Sequence, residues 1–300
     1  MKSLLSIYDI KDEVTEILDL ANEFKHGLIK GKPLDGKSLA MIFQKSSTRT
    51  RVSFEVGMYE LGGSALFLSE NDLQMGRGES ISDTARVLSR YVDGIMIRAI
   101  EHEDLVEFEK EATVPIISGL SDLEHPCQAL ADMQTIKEHK GDFSGKFVYV
   151  GDGNNVCNSL LLICACLGMD IVAASPKAYQ ANEKIVKQSK SIAKESGSNV
   201  TITDNVEIAV KDADVVYTDV WVSMGNEKQE KERKNALEKY QVNSKLMKLA
   251  NEDAIFMHCL PAIRGEEVTA DVIDGKNSVI VDQAENRLHA QKAVLYHFLK

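Results

Sequence analysis

Ten short runs rich in β-branched and aliphatic residues, alternating with stretches of helical periodicity, constrain this chain more than any other feature. The runs lie at 38–43, 64–68, 94–98, 114–118, 146–151, 171–175, 200–203, 215–218, 254–258 and 278–282. Helix-length amphipathic stretches separate most of them; in 49–61, Val52, Val56 and Tyr59 fall on one helical face. Regular strand–helix alternation implies parallel sheets covered on both sides, an α/β fold of the doubly wound kind. The 300 residues exceed what one hydrophobic core usually serves. The series restarts at the polar turn Gly141-Asp142, after a helical pattern over 126–139. Two doubly wound domains are therefore expected, 1–140 and 141–300, with a last helix over 284–300 that could pack back on either. In such folds the crevice between domains is the default place for a site.

Charge and cysteine usage narrow the functional classes. A formal charge of −11 disfavours binding to nucleic acid or to an anionic membrane surface, yet leaves a small anionic substrate open. The apolar stretch after Met1-Lys2 meets Asp9 almost at once, unlike a secretory signal. The longest apolar run, 160–167, is far shorter than the roughly 20 residues of a membrane span. Five cysteines, at 127, 157, 164, 166 and 259, form no CxxC pair, and the odd number suits a reducing compartment. The expected location is the cytoplasm. The charged segment 225–235, after a strand end, reads as a long polar loop and a lid candidate.

Chemistry-bearing residues gather where strands end. Ser46-Ser47-Thr48-Arg49-Thr50-Arg51 follows the 38–43 strand and opens a helix. Hydroxyls there are ordinary caps. Three hydroxyls and two arginines also make a phosphate site, through free N–H groups, the helix dipole and guanidinium forks. His125-Pro126-Cys127-Gln128 lies at another strand-to-helix junction, with Pro126 at the favoured first helical position. His125 either bonds a nearby carbonyl or converges with Gln128 on a ligand carbonyl oxygen, where such donors stabilise developing negative charge.

The second half carries three further motifs. Gly151-Asp152-Gly153-Asn154-Asn155 suggests a dinucleotide fingerprint, but Val156 stands in place of the third glycine. The next strand ends in Ser175-Pro176, with no acid for a ribose. Asn155 at a helix start remains a polar ligand for a small substrate. Asp219, directly after the 215–218 strand and followed by Ser223-Met224-Gly225, either caps that strand end or pairs with an ammonium group. His258-Cys259-Leu260-Pro261 follows 254–257; without a second spaced pair it does not make a zinc site, and Cys259 is either inert packing or a thiol at the sheet edge where α/β sites lie.

Taken together, 47–55 and 125–128 resemble the carbamoyl-phosphate domain of the aspartate/ornithine transcarbamoylase family. Gly151 to Asn155, Asp219 to Gly225 and His258 to Pro261 resemble the second domain of its ornithine branch, and the likeness spans nearly the whole chain. The resemblance implies transfer of a carbamoyl group from carbamoyl phosphate to the side-chain amine of L-ornithine, with no metal or organic cofactor, and a role in arginine biosynthesis. It implies carbamoyl phosphate at Ser47, Thr48, Arg49, Thr50, Gln74, Arg98, His125, Gln128, Cys259, Leu260 and Arg287. It implies ornithine at Asn155, Asp219, Ser223 and Met224, with Arg98, His125, Asp219 and Cys259 closest to the chemistry. A homotrimer with shared sites is implied as well, Gln74 reaching into a neighbouring subunit's site.

Four alternatives stay open at this point. A dinucleotide-dependent dehydrogenase needs the missing glycine and acid. A non-catalytic amino-acid-binding protein leaves the phosphate-type loop unexplained. A sister transferase acting on putrescine or an acylated ornithine, or a catabolic enzyme working in arginine degradation, differs only in detail.

Overall fold

The computed structural model describes residues 2–70, 73–74, 78–222 and 229–300. Nine parallel strands are present among them: β1 (Ser38–Phe43), β2 (Ser64–Ser69), β3 (Gly94–Arg98), β4 (Ile116–Leu120), β5 (Lys146–Val150), β6 (Asp170–Ala174), β7 (Val200–Thr203), β8 (Val215–Thr218) and β9 (Ile255–His258). They form a four-stranded sheet in the order β2-β1-β3-β4 and a five-stranded sheet in the order β7-β6-β5-β8-β9. The chain divides into two compact units, 1–134 with 285–300, and 135–284. Both dividing points fall inside helices, Pro126–Lys140 and Ile280–Leu299.

Each sheet reverses its direction of winding once. In the first, β1 has β2 on one side and β3 on the other; in the second, β5 has β6 on one side and β8 on the other. The carboxyl ends of strands at such reversals are where open α/β sheets bind ligands. β1 leads into the 46–51 segment and β3 ends at Arg98, while β5 leads into 151–155 and β8 into Asp219. The motifs thus sit where the topology alone would place a site.

The strand cores follow from composition. β1 is buried from Leu39 to Phe43, and β3, β8 and β9 are buried throughout, as strands covered on both faces must be. In the second unit Val148, Val150, Val216 and Phe256 pack with Trp221, Leu237, Tyr240 and Val242.

Three expectations are corrected, and the orientation of one apolar face is settled. The strand expected at 114–118 runs from Ile116 to Leu120, because Pro115 has no N–H for the ladder and only its carbonyl is used, by Ile95. The segment 278–282 is not a strand. Ser278 makes a single bridge to Phe256, and a helix begins at Ile280. The face of the helix Thr48–Glu60 that holds Val52, Val56 and Tyr59 is exposed, Tyr59 at 79%. Its buried face is Thr50, Ser53, Phe54, Gly57 and Met58. Gly57 there leaves room for Lys292 and Leu295, whose side chains lie 3.4 and 3.5 Å from where a Cβ would stand. The loop expected at 225–235 is helical from Glu230 to Leu237. Glu230 and Lys234 form an i,i+4 ion pair at 2.8 Å on that helix, the spacing that supports helix in a charged sequence. Among the described residues no helix is long and apolar enough to cross a membrane.

Candidate active site

The first unit gathers its polar residues around the start of the helix Thr48–Glu60. Ser47 has extended φ and ψ and its Oγ accepts from the Thr50 N–H at 3.3 Å, so it does cap the helix. The start of a helix is also where backbone N–H groups and the helix dipole favour an anion. Thr50 is buried, and its Oγ1 accepts from Arg287 Nη2 at 3.2 Å. Arg287 Nη1 donates to Gln128 Oε1 at 2.6 Å, and Gln128 Nε2 donates to the buried Asp132 Oδ1 at 2.8 Å. Thr50, Gln128 and Arg287, dispersed along the chain, therefore form one connected set. Asp132 completes it; no motif pointed to it, although Gln and Asp four apart on a helix are natural partners.

His125 lies buried beside this set at the start of the helix Pro126–Lys140, its carbonyl accepting from the Gln128 and Ala129 N–H groups. Burial pushes its pKa well below 6.5, and the guanidiniums of Arg287, Arg98 and Arg49 push it further. The imidazole is thus neutral at working pH, a donor through one N–H in a field set by three arginines. The linkage sign follows: a histidine with a depressed folded pKa adds stability above about pH 6.5 that is lost as the pH falls. Arg49, Thr50, Arg98, His125, Gln128 and Arg287 are all brought together, with Ser47 and Thr48 at the same helix end. Gln74 is exposed and is not among them.

In the second unit Asp219 is buried at the end of β8 and holds two partners. Cys259 Sγ donates to Asp219 Oδ1 at 3.0 Å, and Asn154 Nδ2 donates to Asp219 Oδ2 at 2.7 Å. Asn154 was not a candidate by sequence. It caps the helix Asn155–Cys166, its Oδ1 accepting from the Val156 and Cys157 N–H groups, while Tyr149 donates to the same oxygen at 3.2 Å. The cap pattern was legible, but the amide's second bond to Asp219 needs the β5–β8 adjacency. Asn155 opens the helix, partly exposed. Gly153 is required by close approach: a Cβ there would lie 2.2 Å from the Ala181 nitrogen. Ser223 and Met224 lie outside the described residues.

Asp219, His258 and Cys259 offer ligand atoms within 4.8 Å of one another. Both nitrogens of His258 are engaged, however, Nδ1 by the Leu260 N–H at 2.8 Å and Nε2 by Glu267 Oε1 at 3.2 Å. An acid and a thiol remain, short of the four ligands of a structural zinc. Leu260 has φ +59, a left-handed conformation that costs an L-residue about 1–2 kcal/mol.

Two parallel α/β units, one with an arginine-rich helix start and the other with a paired acid and thiol at the sheet edge, define a group-transfer enzyme. The chain belongs to the aspartate/ornithine carbamoyltransferase family. Residues 2–138 match that family's carbamoyl-P binding domain and residues 144–298 its Asp/Orn binding domain. The "Ornithine carbamoyltransferase" of Methanobrevibacter smithii is 65% identical over 301 residues, covering 100% of both chains. The "Ornithine carbamoyltransferase, anabolic" of Pyrococcus furiosus is 57% identical, over 98% of this chain and 95% of that one. The solved ornithine carbamoyltransferase structure from Pyrococcus furiosus superposes with a TM-score of 0.95 at 55% identity, covering 99% of this chain and 97% of that one.

Proposed function

We propose that this enzyme transfers the carbamoyl group of carbamoyl phosphate to the side-chain amine of L-ornithine, giving L-citrulline and phosphate. The observation that carries the reading is a neutral, buried His125 among Arg49, Arg98 and Arg287, beside the linked Thr50, Gln128 and Arg287. That arrangement suits a ligand with a phosphate at one end and a carbonyl at the other.

In this mechanism the first-turn N–H groups, Ser47, Thr48, Arg49 and Thr50 hold the phosphate and stabilise it as it leaves. Arg98, His125 and the Thr50 hydroxyl donate to the carbonyl oxygen, which becomes an oxyanion when the amine adds. Losing one such donor typically lowers the rate by about 10²–10³. Gln128 orients the carbamoyl NH2, and Arg287 ties Gln128 to Thr50. Leu260 contributes main-chain contacts. Asp219 pairs with an ammonium of ornithine and Cys259 serves near the reacting amine, with Asn155, Ser223 and Met224 assigned to ornithine by the family resemblance. The ammonium first loses one proton, the amine nitrogen then forms a bond to the carbamoyl carbon, the carbon–oxygen bond to phosphate breaks, and the nitrogen's second proton passes to the departing phosphate. An unperturbed amine of this kind has a pKa of about 10.4, so deprotonation precedes attack. Holding two small substrates in line supplies up to about 7–11 kcal/mol of the barrier.

Assembly belongs to the same proposal: a homotrimer in which Gln74 of one subunit serves the neighbour's site. The exposed apolar face of the helix Thr48–Glu60, with Val52, Val56 and Tyr59 on it, supports an assembled state, because an apolar surface stripe suits an interface. A biosynthetic direction is supported by the name of the Pyrococcus furiosus relative. A reducing compartment, the cytoplasm, is supported by an odd number of cysteines, five, with no CxxC pair.

The deciding experiment is a colorimetric citrulline assay with carbamoyl phosphate and, in turn, ornithine, putrescine, acetylornithine and aspartate. Ornithine is expected to be used at least about tenfold better than any other, since the Asp219 carboxylate disfavours an acylated α-amine and the Ser223-Met224-Gly225 sequence resembles that of the ornithine branch. Preference for putrescine or acetylornithine would move the chain to a sister specificity.

Cys259→Ser is expected to retain turnover with kcat/KM for ornithine lowered about 10- to 100-fold, below the full 10²–10⁴ of a general base. The serine hydroxyl still donates to Asp219, so orientation survives while the ionisable thiol is lost. The acidic limb of the pH profile should then move to higher pH. His125 does not supply that limb, because its pKa lies well below 6.5. A profile identical to that of the parent enzyme would reduce Cys259 to packing.

A further inference from the structure

β9 ends at His258, and the side chains of His258 and Glu267 hold backbone N–H groups of the five residues that follow. The His258 and Glu267 side chains are both fully buried. His258 Nδ1 accepts from the Leu260 N–H at 2.8 Å, so this nitrogen carries the lone pair and the ring proton sits on Nε2. Nε2–H faces Glu267 Oε1 at 3.2 Å, and the same carboxylate oxygen accepts from the Ile263 N–H at 2.6 Å. The backbone of His258 is held from a third direction. Its N–H donates to Gln283 Oε1 at 2.9 Å, and Gln283 Nε2 donates to the hydroxyl of Tyr217, two residues before Asp219. Between these anchors lie Leu260 with φ +59 and the Cys259 thiol on Asp219.

A left-handed leucine does not persist on local preference. What holds this one is the capture of its N–H by His258, and what orients His258 is Glu267. We propose that His258 is a positioning residue for carbamoyl transfer: as the Nε2–H tautomer set by Glu267, it fixes the Leu260 turn and with it the Cys259 thiol and the Leu260 main chain. The inference rests on the proposed function for what Cys259 and Leu260 meet. The tautomer and the turn stand without it.

The two ring nitrogens can be tested separately. In His258→Asn the side-chain oxygen lies near the Nδ1 position and still accepts from Leu260, while the link to Glu267 is lost. In His258→Gln the amide nitrogen lies near Nε2 and still donates to Glu267, while the acceptor for Leu260 is lost. Thermal midpoints and steady-state kinetics with ornithine and carbamoyl phosphate are measured for both, with His258→Ala for reference. The Asn variant should keep kcat within about tenfold of the parent enzyme. The Gln and Ala variants should lose about 10²-fold, mainly in kcat, the scale of a misplaced reacting group. A buried pair that serves only the core predicts equal losses for Asn and Gln, following their thermal midpoints, and that result would overturn the inference. Should the variants fail to fold, the ¹⁵N shifts of His258 in the unmodified protein decide it. A bare Nδ1 and protonated Nε2 support the proposal, and the opposite tautomer removes it. An unmodified protein that makes no citrulline would count against the proposed function alone, because the tautomer is read without turnover.

Discussion

Replacing Arg49 with alanine is expected to weaken carbamoyl-phosphate binding by about 10²–10⁴-fold and to leave the thermal midpoint nearly unchanged. The effect is large because the proposed contact is a guanidinium fork on a phosphate. Each hydrogen bond to a charged group is worth about 1.5–3 kcal/mol, and about 1.4 kcal/mol is tenfold in affinity. The fold should tolerate the change for local reasons. Arg49 is half-buried in the first turn of the helix Thr48–Glu60, and its carbonyl accepts from Ser53 Oγ at 2.6 Å. Alanine keeps that carbonyl and is the best helix former. Calorimetric titration with carbamoyl phosphate and with inorganic phosphate reads the result. Affinity within about twofold of the parent enzyme would return Ser47 to Arg51 to the role of a helix cap.

Much of this was legible from residue types and spacing. Nine strands lie where aliphatic, β-branched runs occur, since a parallel strand buried on both faces leaves an unbroken apolar stretch. The tenth, 278–282, misled because Val279-Ile280-Val281 has strand composition; one bridge beside β9 uses it up before the helix begins. The apolar face of the helix Thr48–Glu60 is a related case. Periodicity finds an apolar stripe without saying what covers it, and Val52, Val56 and Tyr59 are left outside the single chain's core.

Within each unit, the candidate motifs, 47–51 and 125–128 in the first and 219 and 258–261 in the second, stand out because each follows a strand end. Their mutual arrangement does not. Arg287 meets Thr50 across 237 positions and Gln128 across 159, and Asn154 meets Asp219 across 65. Such pairings depend on strand order, which local pattern does not encode. Arg98 and Arg287 became candidates only through family resemblance, since an isolated arginine after a strand or in a helix carries no signal of its own. His258 was read as part of a motif, while the burial of its partner Glu267 is a property of the fold.

Mixing two inactive variants is expected to restore activity if the proposed trimer shares its sites. Gln74→Ala and Asp219→Ala should each be nearly inactive as purified proteins, the first for want of a ligand donor. The second also leaves the Cys259 thiol and the Asn154 amide without their shared carboxylate. Unfolded and refolded together in equal amounts, they form trimers of random composition. A site works when it has a native Asp219 from one subunit and a native Gln74 from the next around the ring. Each condition holds half the time, so about a quarter of all sites should recover. The recovery is large because it is measured against two nearly silent parents. Gln74 suits this role by its position: it is exposed, and it is not part of the set formed by Thr50, Gln128 and Arg287 in its own unit. Mass spectrometry of the intact assembly checks that mixed trimers form. If they do and activity stays at the average of the two parents, each site lies within one subunit, and Gln74 loses its proposed place in it.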